Sequence, residues 1–145
     1  VIENSIGVDR MFLSILCGSY REETLENGET RVVLRLPPAL APVKLAVLPL
    51  VKKDGLPGKA REIMDELKFH FHCQYEEKDS IGKRYRRQDA IGTPYCITVD
   101  YDTMRDNTVT IRFRDTMEQE RVSIDRLHEI ISDRVSLRSL LEGLK

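Results

Sequence analysis

VKLAVLPLVKKDGLPGKAREIMDELKFHFHCQY, residues 43–75, is the stretch whose pattern decides the fold class. Val43 to Val51 is nearly all apolar apart from Lys44, the composition of a strand covered on both faces in a parallel sheet. Asp54-Gly55-Leu56-Pro57 reads as the turn that follows. Ala60, Ile63, Met64 and Leu67 then recur at i, i+3, i+4 and i+7, which predicts an amphipathic helix, and Phe69 to Tyr75 reads as the next strand. Strand, helix and strand in that order make a βαβ unit.

Downstream the order repeats. Asp79 or Ser80 is placed to cap a short helix that carries Lys83 to Arg87 and ends by Gly92, before a strand from Tyr95 to Asp100. After a turn at Asp106-Asn107, Val109, Ile111 and Phe113 alternate with Thr110, Arg112 and Arg114, which predicts a half-buried strand with one core face and one polar face. Ser123 precedes a helical stripe of Ile124, Leu127, Ile130 and Ile131, and Ser136 precedes Leu137, Leu140, Leu141 and Leu144. The whole reads as an α/β domain with a mixed sheet of about five strands and about three helices.

Upstream, Val8, Met11, Phe12, Ile15 and Leu16 predict a helix with one buried apolar face, losing its pattern near Ser19. Glu22 to Thr30 is polar with a turn at Asn27-Gly28, and Arg31 to Leu36 reads as a short strand or extended connector. Pro37-Pro38 stiffens the backbone and cannot continue a helix, so a boundary between residues 1–36 and 37–145 is expected there.

With 145 residues, the chain has room for one ordinary core and an appendage. Its 23 Lys and Arg against 24 Asp and Glu give a charge of -1, so any nucleic acid contact must come from a local patch and not from a global field. The longest apolar run, Leu40 to Val51, is broken by Pro42, Lys44 and Pro49 and falls short of the roughly 20 residues of a membrane span. A soluble, non-exported protein is expected, and the opening Val1-Ile2-Glu3-Asn4 reads as a position inside a longer polypeptide. Cys17, Cys73 and Cys96 are odd in number, widely spaced and set in apolar surroundings, which suits reduced core thiols in the cytosol. His70-Phe71-His72-Cys73 suggests a metal site, but in a strand His70 and His72 share one face and Cys73 takes the other, so no metal is expected.

Two stretches carry candidate chemistry. Gly7-Val8-Asp9-Arg10 opens the first helix, where backbone N–H groups and the helix dipole favour an anion and Arg10 adds a planar cation for phosphate. A plain turn with Asp9 in a surface ion pair is the alternative. Lys83, Arg84, Arg86 and Arg87 crowd around Tyr85, a patch suited to phosphates with a ring that stacks on an unpaired base. A solvated helix face balanced by Glu76, Glu77, Asp79 and Asp89 explains it as well. From Pro37 to Lys145 there is no nucleophile elbow, phosphate loop or Cys/His set, so no complete catalytic site is expected.

The segment Glu3 to Phe12 resembles the third signature motif of class II aminoacyl-tRNA synthetases, in the glycyl version. That resemblance implies that Arg10 holds the phosphates of ATP, that Gly7, Val8 and Asp9 line the nucleotide, and that Glu3 and Ser5 hold glycine. Asn4 stands where the family commonly shows proline. Ala39 to Leu50, Glu77 to Tyr85 and Gln88 to Pro94 resemble the anticodon-binding domain shared by the glycyl, histidyl, prolyl and threonyl enzymes, and Thr108 to Gln119 is similar to the glycyl branch.

The resemblance implies a class II synthetase anticodon-binding domain over residues 37–145, following the end of a catalytic domain in residues 1–36. It also implies a cytoplasmic, homodimeric parent enzyme that uses ATP with Mg2+, glycine and glycine tRNA. The family's earlier motifs would lie upstream of Val1, so this chain alone is expected to be inactive and to need no cofactor. Lys83, Arg84, Tyr85, Arg86 and Arg87 become candidate tRNA contacts. Arg112 and Arg114, about 7 Å apart on one strand face, are expected to reach the anticodon together. Arginine donates to the acceptors of the two anticodon cytosines that glycine codons require, and Asp115 accepts from an amino group; a surface pair between Arg114 and Asp115 is the competing reading. Another synthetase of the subgroup, prolyl or threonyl, and an accessory interaction module that has lost tRNA binding are the alternative functions.

Overall fold

The computed structural model describes residues 2–143. The chain enters through helix α1, Val8–Ser19, and a hairpin of β1, Tyr20–Thr24, and β2, Thr30–Leu34. The two strands are antiparallel, Tyr20 facing Leu34 and Thr24 facing Thr30, around the Asn27-Gly28 turn, where Gly28 has φ +79°. β1 was expected as polar loop. Its residues, Tyr-Arg-Glu-Glu-Thr, carry no buried position that would mark a strand.

The parallel core follows. β3, Leu45–Pro49, is buried at every position; α2, Leu56–Leu67, leads to β4, Cys73–Tyr75; and α3, Ile81–Ile91, leads to β5, Tyr95–Val99. Beyond β5 come α4, Tyr101–Asp106, β6, Thr108–Phe113, and β7, Gln119–Ser123. A 3-10 turn over Ile124–Arg126, α5, Leu127–Arg134, and α6, Leu137–Glu142, complete the described chain. The sheet order is β4-β3-β5-β6-β7, with β3 parallel to β4 and β5, and with β6 and β7 antiparallel. This is the expected mixed sheet of five strands, with more helices than the expected three; α4, six residues long, is too short to show a stripe.

One face carries the large core. Leu45, Val47, Ile97, Val99, Val109 and Ile111 from the sheet pack with Leu56, Ala60, Ile63 and Leu67 of α2 and with Leu127 and Ile131 of α5. The other holds a small cluster, Ala46, Leu48 and Cys96, against Ile81 and Tyr85 of α3. Covering both faces of β3 removes its polar/apolar alternation, which is why its sequence reads as a continuous apolar run.

Several boundaries differ from expectation. α2 begins at Leu56, since Pro57 is compatible with a first turn, so the preceding turn contracts to Asp54 and Gly55, both at positive φ. β4 is shorter than Phe69 to Tyr75: Phe71 N donates to Leu67 O at 2.9 Å, closing a turn, and Phe69 is exposed. His70 is therefore not on a strand; its ring lies edge-on to His128, with centroids 4.3 Å apart, while His72 Nδ1 meets Pro42 O at 2.8 Å. Burial pushes the Cys73 thiol up to about 11 and the Cys96 thiol up to about 12, as expected of inert interior thiols. Cys17 is exposed, so it is not a core thiol.

The apolar stripe of α1 is also exposed: Val8 at 79%, Phe12 at 64% and Met11 at 46%, with Ser19 its one buried residue. The expected buried face is not buried against any described residue. At the other end Ser136 caps α6, its side chain accepting from Ser139 N at 3.0 Å; Leu144, the last residue of the predicted stripe, lies outside the described residues.

Candidate nucleic-acid interface

Helical geometry decides what becomes of the basic run on α3. At 3.6 residues per turn, five consecutive side chains point all around the axis and cannot form one patch. Arg84 turns under the helix and is 2% exposed. Its Nη1 donates to Pro49 O at 2.6 Å and Glu76 O at 3.2 Å, and its Nη2 to Leu50 O at 3.1 Å, tying together the ends of β3 and β4. Burial holds its pKa below the usual arginine value. Arg84 is thus an internal strut and not a surface phosphate contact, which corrects the sequence expectation. Lys83, Arg86 and Arg87 do point outward; Arg86 pairs with Glu29, and Arg87 with Glu76 at 2.5 Å and Asp79 at 2.9 Å.

Tyr85 lies on the sheet side of α3, its hydroxyl 2.6 Å from Thr98 Oγ1. Arg112 reaches the same place from β6, with its guanidinium carbon 4.7 Å from the centroid of the Tyr85 ring. Below them is Asp89, fully buried on α3. Arg112 grips Asp89 in a two-pronged bond, Nη1 to Oδ1 at 2.8 Å and Nη2 to Oδ2 at 3.0 Å. Oδ2 also accepts from Arg31 Nη1 of β2 at 2.9 Å. Burial works against the charge on Arg112, but the hydrogen bonds and charge of Asp89 outweigh it and raise its pKa.

Arg112 and Arg114 are not a free pair on a polar strand face. They are 6% and 2% exposed. Arg114, just past β6, donates to Gly92 O at 2.8 Å, to Leu36 O at 2.7 Å and to Asp115 Oδ1 at 2.8 Å. The hairpin and the segment after it cover this end of the sheet, a long-range event that strand alternation cannot show. Asp115 remains exposed, but it lines a separate groove of about 390 Å³ with Pro38, Pro94, Tyr95 and Phe113. The structure therefore joins Tyr85 to Arg112 and leaves Arg114 and Asp115 apart from them.

Next to this group the sheet stays polar. Cross-strand pairing puts Thr98, Thr110 and Arg121 in one row, and Cys96, Arg112 and Gln119 in the next. Arg121 forks onto Asp100 at 2.7 and 3.0 Å and donates to Thr108 Oγ1 at 2.6 Å. Asp100 in turn caps α4 through Thr103 N at 3.0 Å. Hydrogen bonds from Arg121 hold the Asp100 carboxyl below its ordinary range, against the opposing effect of burial. The result is a strip of aromatic ring, hydroxyls and guanidiniums between α3 and β7, the side-chain set that stacks on and hydrogen-bonds to unpaired bases. Asp89, Arg31, Asp100 and Arg121 were not among the site residues expected from the sequence. Only Asp100 carried a local signal, as an Asp three residues before Thr103.

The remaining candidates lie before and in the first turn of α1. Glu3, Ser5, Gly7, Val8, Asp9 and Arg10 are all exposed. Gly7 caps the helix without a side chain, which leaves the first N–H groups of α1 open, and the Arg10 side chain comes within 3.8 Å of where a Cβ on Gly7 would lie.

The fold and the strip define a mixed α/β module with a polar, aromatic sheet face. Residues 44–134 match the sequence profile of the family described as "Anticodon binding domain", and the chain belongs to that family. The glycine–tRNA ligase of Clostridium tetani is 56% identical over 134 residues, covering 92% of this chain and 28% of that protein. The glycine–tRNA ligase of Borrelia hermsii is 53% identical over 131 residues, covering 90% of this chain and 29% of that protein. This chain thus spans under a third of the length of these relatives. Among solved structures, the RNA binding domain of threonyl-tRNA synthetase from Cryptosporidium parvum superposes with a TM-score of 0.63 at 26% identity, over 69% of this chain and 25% of that one.

Proposed function

We propose that the chain is the anticodon-reading end of a glycine–tRNA ligase, whose strip around Tyr85, Arg112 and Arg121 receives the unpaired anticodon bases. The carrying observation is the identity of 53–56% to glycine–tRNA ligases over nine-tenths of the chain, against 26% to the threonyl relative. That difference favours the glycyl reading over the prolyl, threonyl and accessory-module alternatives. Tyr85 supplies a stacking face, Arg121 supplies donors for the acceptors of cytosine, and Arg112, held on Asp89 beneath the ring, contributes positive charge. Lys83, with Arg86 and Arg87, lies on the outer side of α3, where it can follow the RNA backbone.

In the parent enzyme, residues 1–36 end the catalytic domain and residues 37–145 form the anticodon-binding domain. ATP with Mg2+, glycine and glycine tRNA are its substrates, and it acts as a cytoplasmic homodimer. Arg10 and the open N–H groups from Gly7 to Asp9 fit the phosphates of ATP, while Glu3 and Ser5 face glycine. When bound, ATP activates the carboxylate of the amino acid. These residues form one wall of that site, so the chain alone does not aminoacylate. No helix among the described residues is long and apolar enough to cross a membrane.

Binding of a fluorescent anticodon stem-loop provides the test. The chain is expected to prefer a loop carrying the two anticodon cytosines over one carrying uridines there by about tenfold or more, the value of one well-formed base contact. Equal affinities would overturn the reading.

A further inference from the structure

Arg31 lies on the hairpin, outside the residues that match the family profile, yet it reaches the centre of the strip. It is 3% exposed, and every nitrogen of its guanidinium is engaged. Nε and Nη2 donate to Glu23 Oε2 at 3.0 and 2.8 Å, Nη2 also to Arg114 O at 3.1 Å, and Nη1 to Asp89 Oδ2 at 2.9 Å. Asp89 Oδ2 is the oxygen that also receives Arg112 Nη2. We propose that Arg31 is a positioning residue for the RNA-reading strip: by sharing Asp89, it sets Arg112 over the Tyr85 ring and leaves a positive charge there for RNA.

Geometry and charge support this separately. A carboxylate held from one side by Arg112 alone can swing with it, whereas a second bond from Arg31 Nη1, whose guanidinium is itself fixed through Nε and Nη2 on Glu23, holds the carboxylate and therefore Arg112. One carboxylate between two guanidiniums also leaves the group with a surplus positive charge. Glu23 does not cancel it, because Glu23 is shared with Arg35 at 2.6 Å. Without Arg31, Asp89 would neutralise Arg112 outright, in a buried setting where little water screens the change. The hairpin thereby becomes part of the RNA site without touching RNA.

This inference rests on the anticodon reading above, and its test separates the two. The measured quantity is the ratio of affinities for the cytosine and uridine stem-loops, with circular dichroism and thermal melting on the same samples. Arg31→Met is expected to lower that ratio about tenfold while the variant remains folded at the assay temperature. Arg31→Lys keeps the charge but offers one point donor in place of a fork, so its ratio should fall between those of wild type and Arg31→Met. A folded Arg31→Met that melts earlier yet keeps the wild-type ratio would show a merely structural residue and overturn the proposal. Should Arg31→Met fail to fold, Arg31→Lys decides: a ratio lowered severalfold upholds the proposal and an unchanged one refutes it. A wild-type chain that treats both RNAs alike refutes the anticodon reading itself, and the positioning role with it.

Discussion

Asp89 is the residue on which the interior charges converge. It sits at zero exposure, with Arg31 and Arg112 on its two oxygens. Removing one partner from a buried ion group is costly because the charges left behind keep their desolvation penalty and lose their compensation. Asp89→Ala is therefore expected to destabilise the chain by about 3–5 kcal/mol in urea unfolding followed by circular dichroism. Arg87→Ala, which removes solvated pairs with Glu76 and Asp79, should shift the curve far less. A similar loss for both variants would show that the Asp89 group does not behave as a buried network. In sequence Asp89 is one carboxylate near four arginines and lysines and looks like a surface balance. Partners distant in sequence, Arg31 from β2 fifty-eight positions upstream and Arg112 from β6, make it interior.

At the scale of elements, the regular ones follow from local pattern and the irregular ones from their neighbours. α3 ends at Gly92 in a left-handed conformation, φ +86°, as its sequence predicts. A Cβ there would approach Leu34 O to 3.1 Å, so Gly92 is also where the hairpin seats. α4 depends on Asp100, which both caps it and pairs with Arg121. Asn caps a helix as well as Asp does, so Asp100→Asn isolates the ion pair. The folded pKa of Asp100 is depressed, so its contribution is complete above the ordinary aspartate value near about 3.9 and is lost as pH falls through the folded pKa. Thermal melts should show Asp100→Asn less stable than wild type by on the order of 1 kcal/mol at neutral pH, with the gap closing below about pH 4. A gap independent of pH would mean that the pair does not set it.

For the whole molecule, stability is uneven along the chain. β3 is buried at all positions and bonded on both sides, whereas the apolar side chains of α1 face outward. Local opening follows buried contact, so amides of Val8 to Leu16 should exchange with solvent orders of magnitude faster than those of Leu45 to Pro49. Equal protection, measured by hydrogen exchange, would show that α1 is held by contacts other than those described. Such an exposed stripe suits a segment whose packing partner lies elsewhere in a longer protein, in line with relatives of which this chain spans under a third. What the sequence determined by itself was the parallel core and its class: the apolar run of β3, the stripe of α2, the Gly92 stop of α3, and the motifs of an anticodon-binding domain. These follow from periodicity and turn chemistry, which act over a few residues. Tertiary structure alone decided which charges are surface and which are interior, because that depends on a hairpin folding back across β6 and α3. It buried Arg84, Arg112 and Arg114, brought Arg31 to Asp89, and put Arg121 opposite Thr110 on the sheet face that Tyr85 covers.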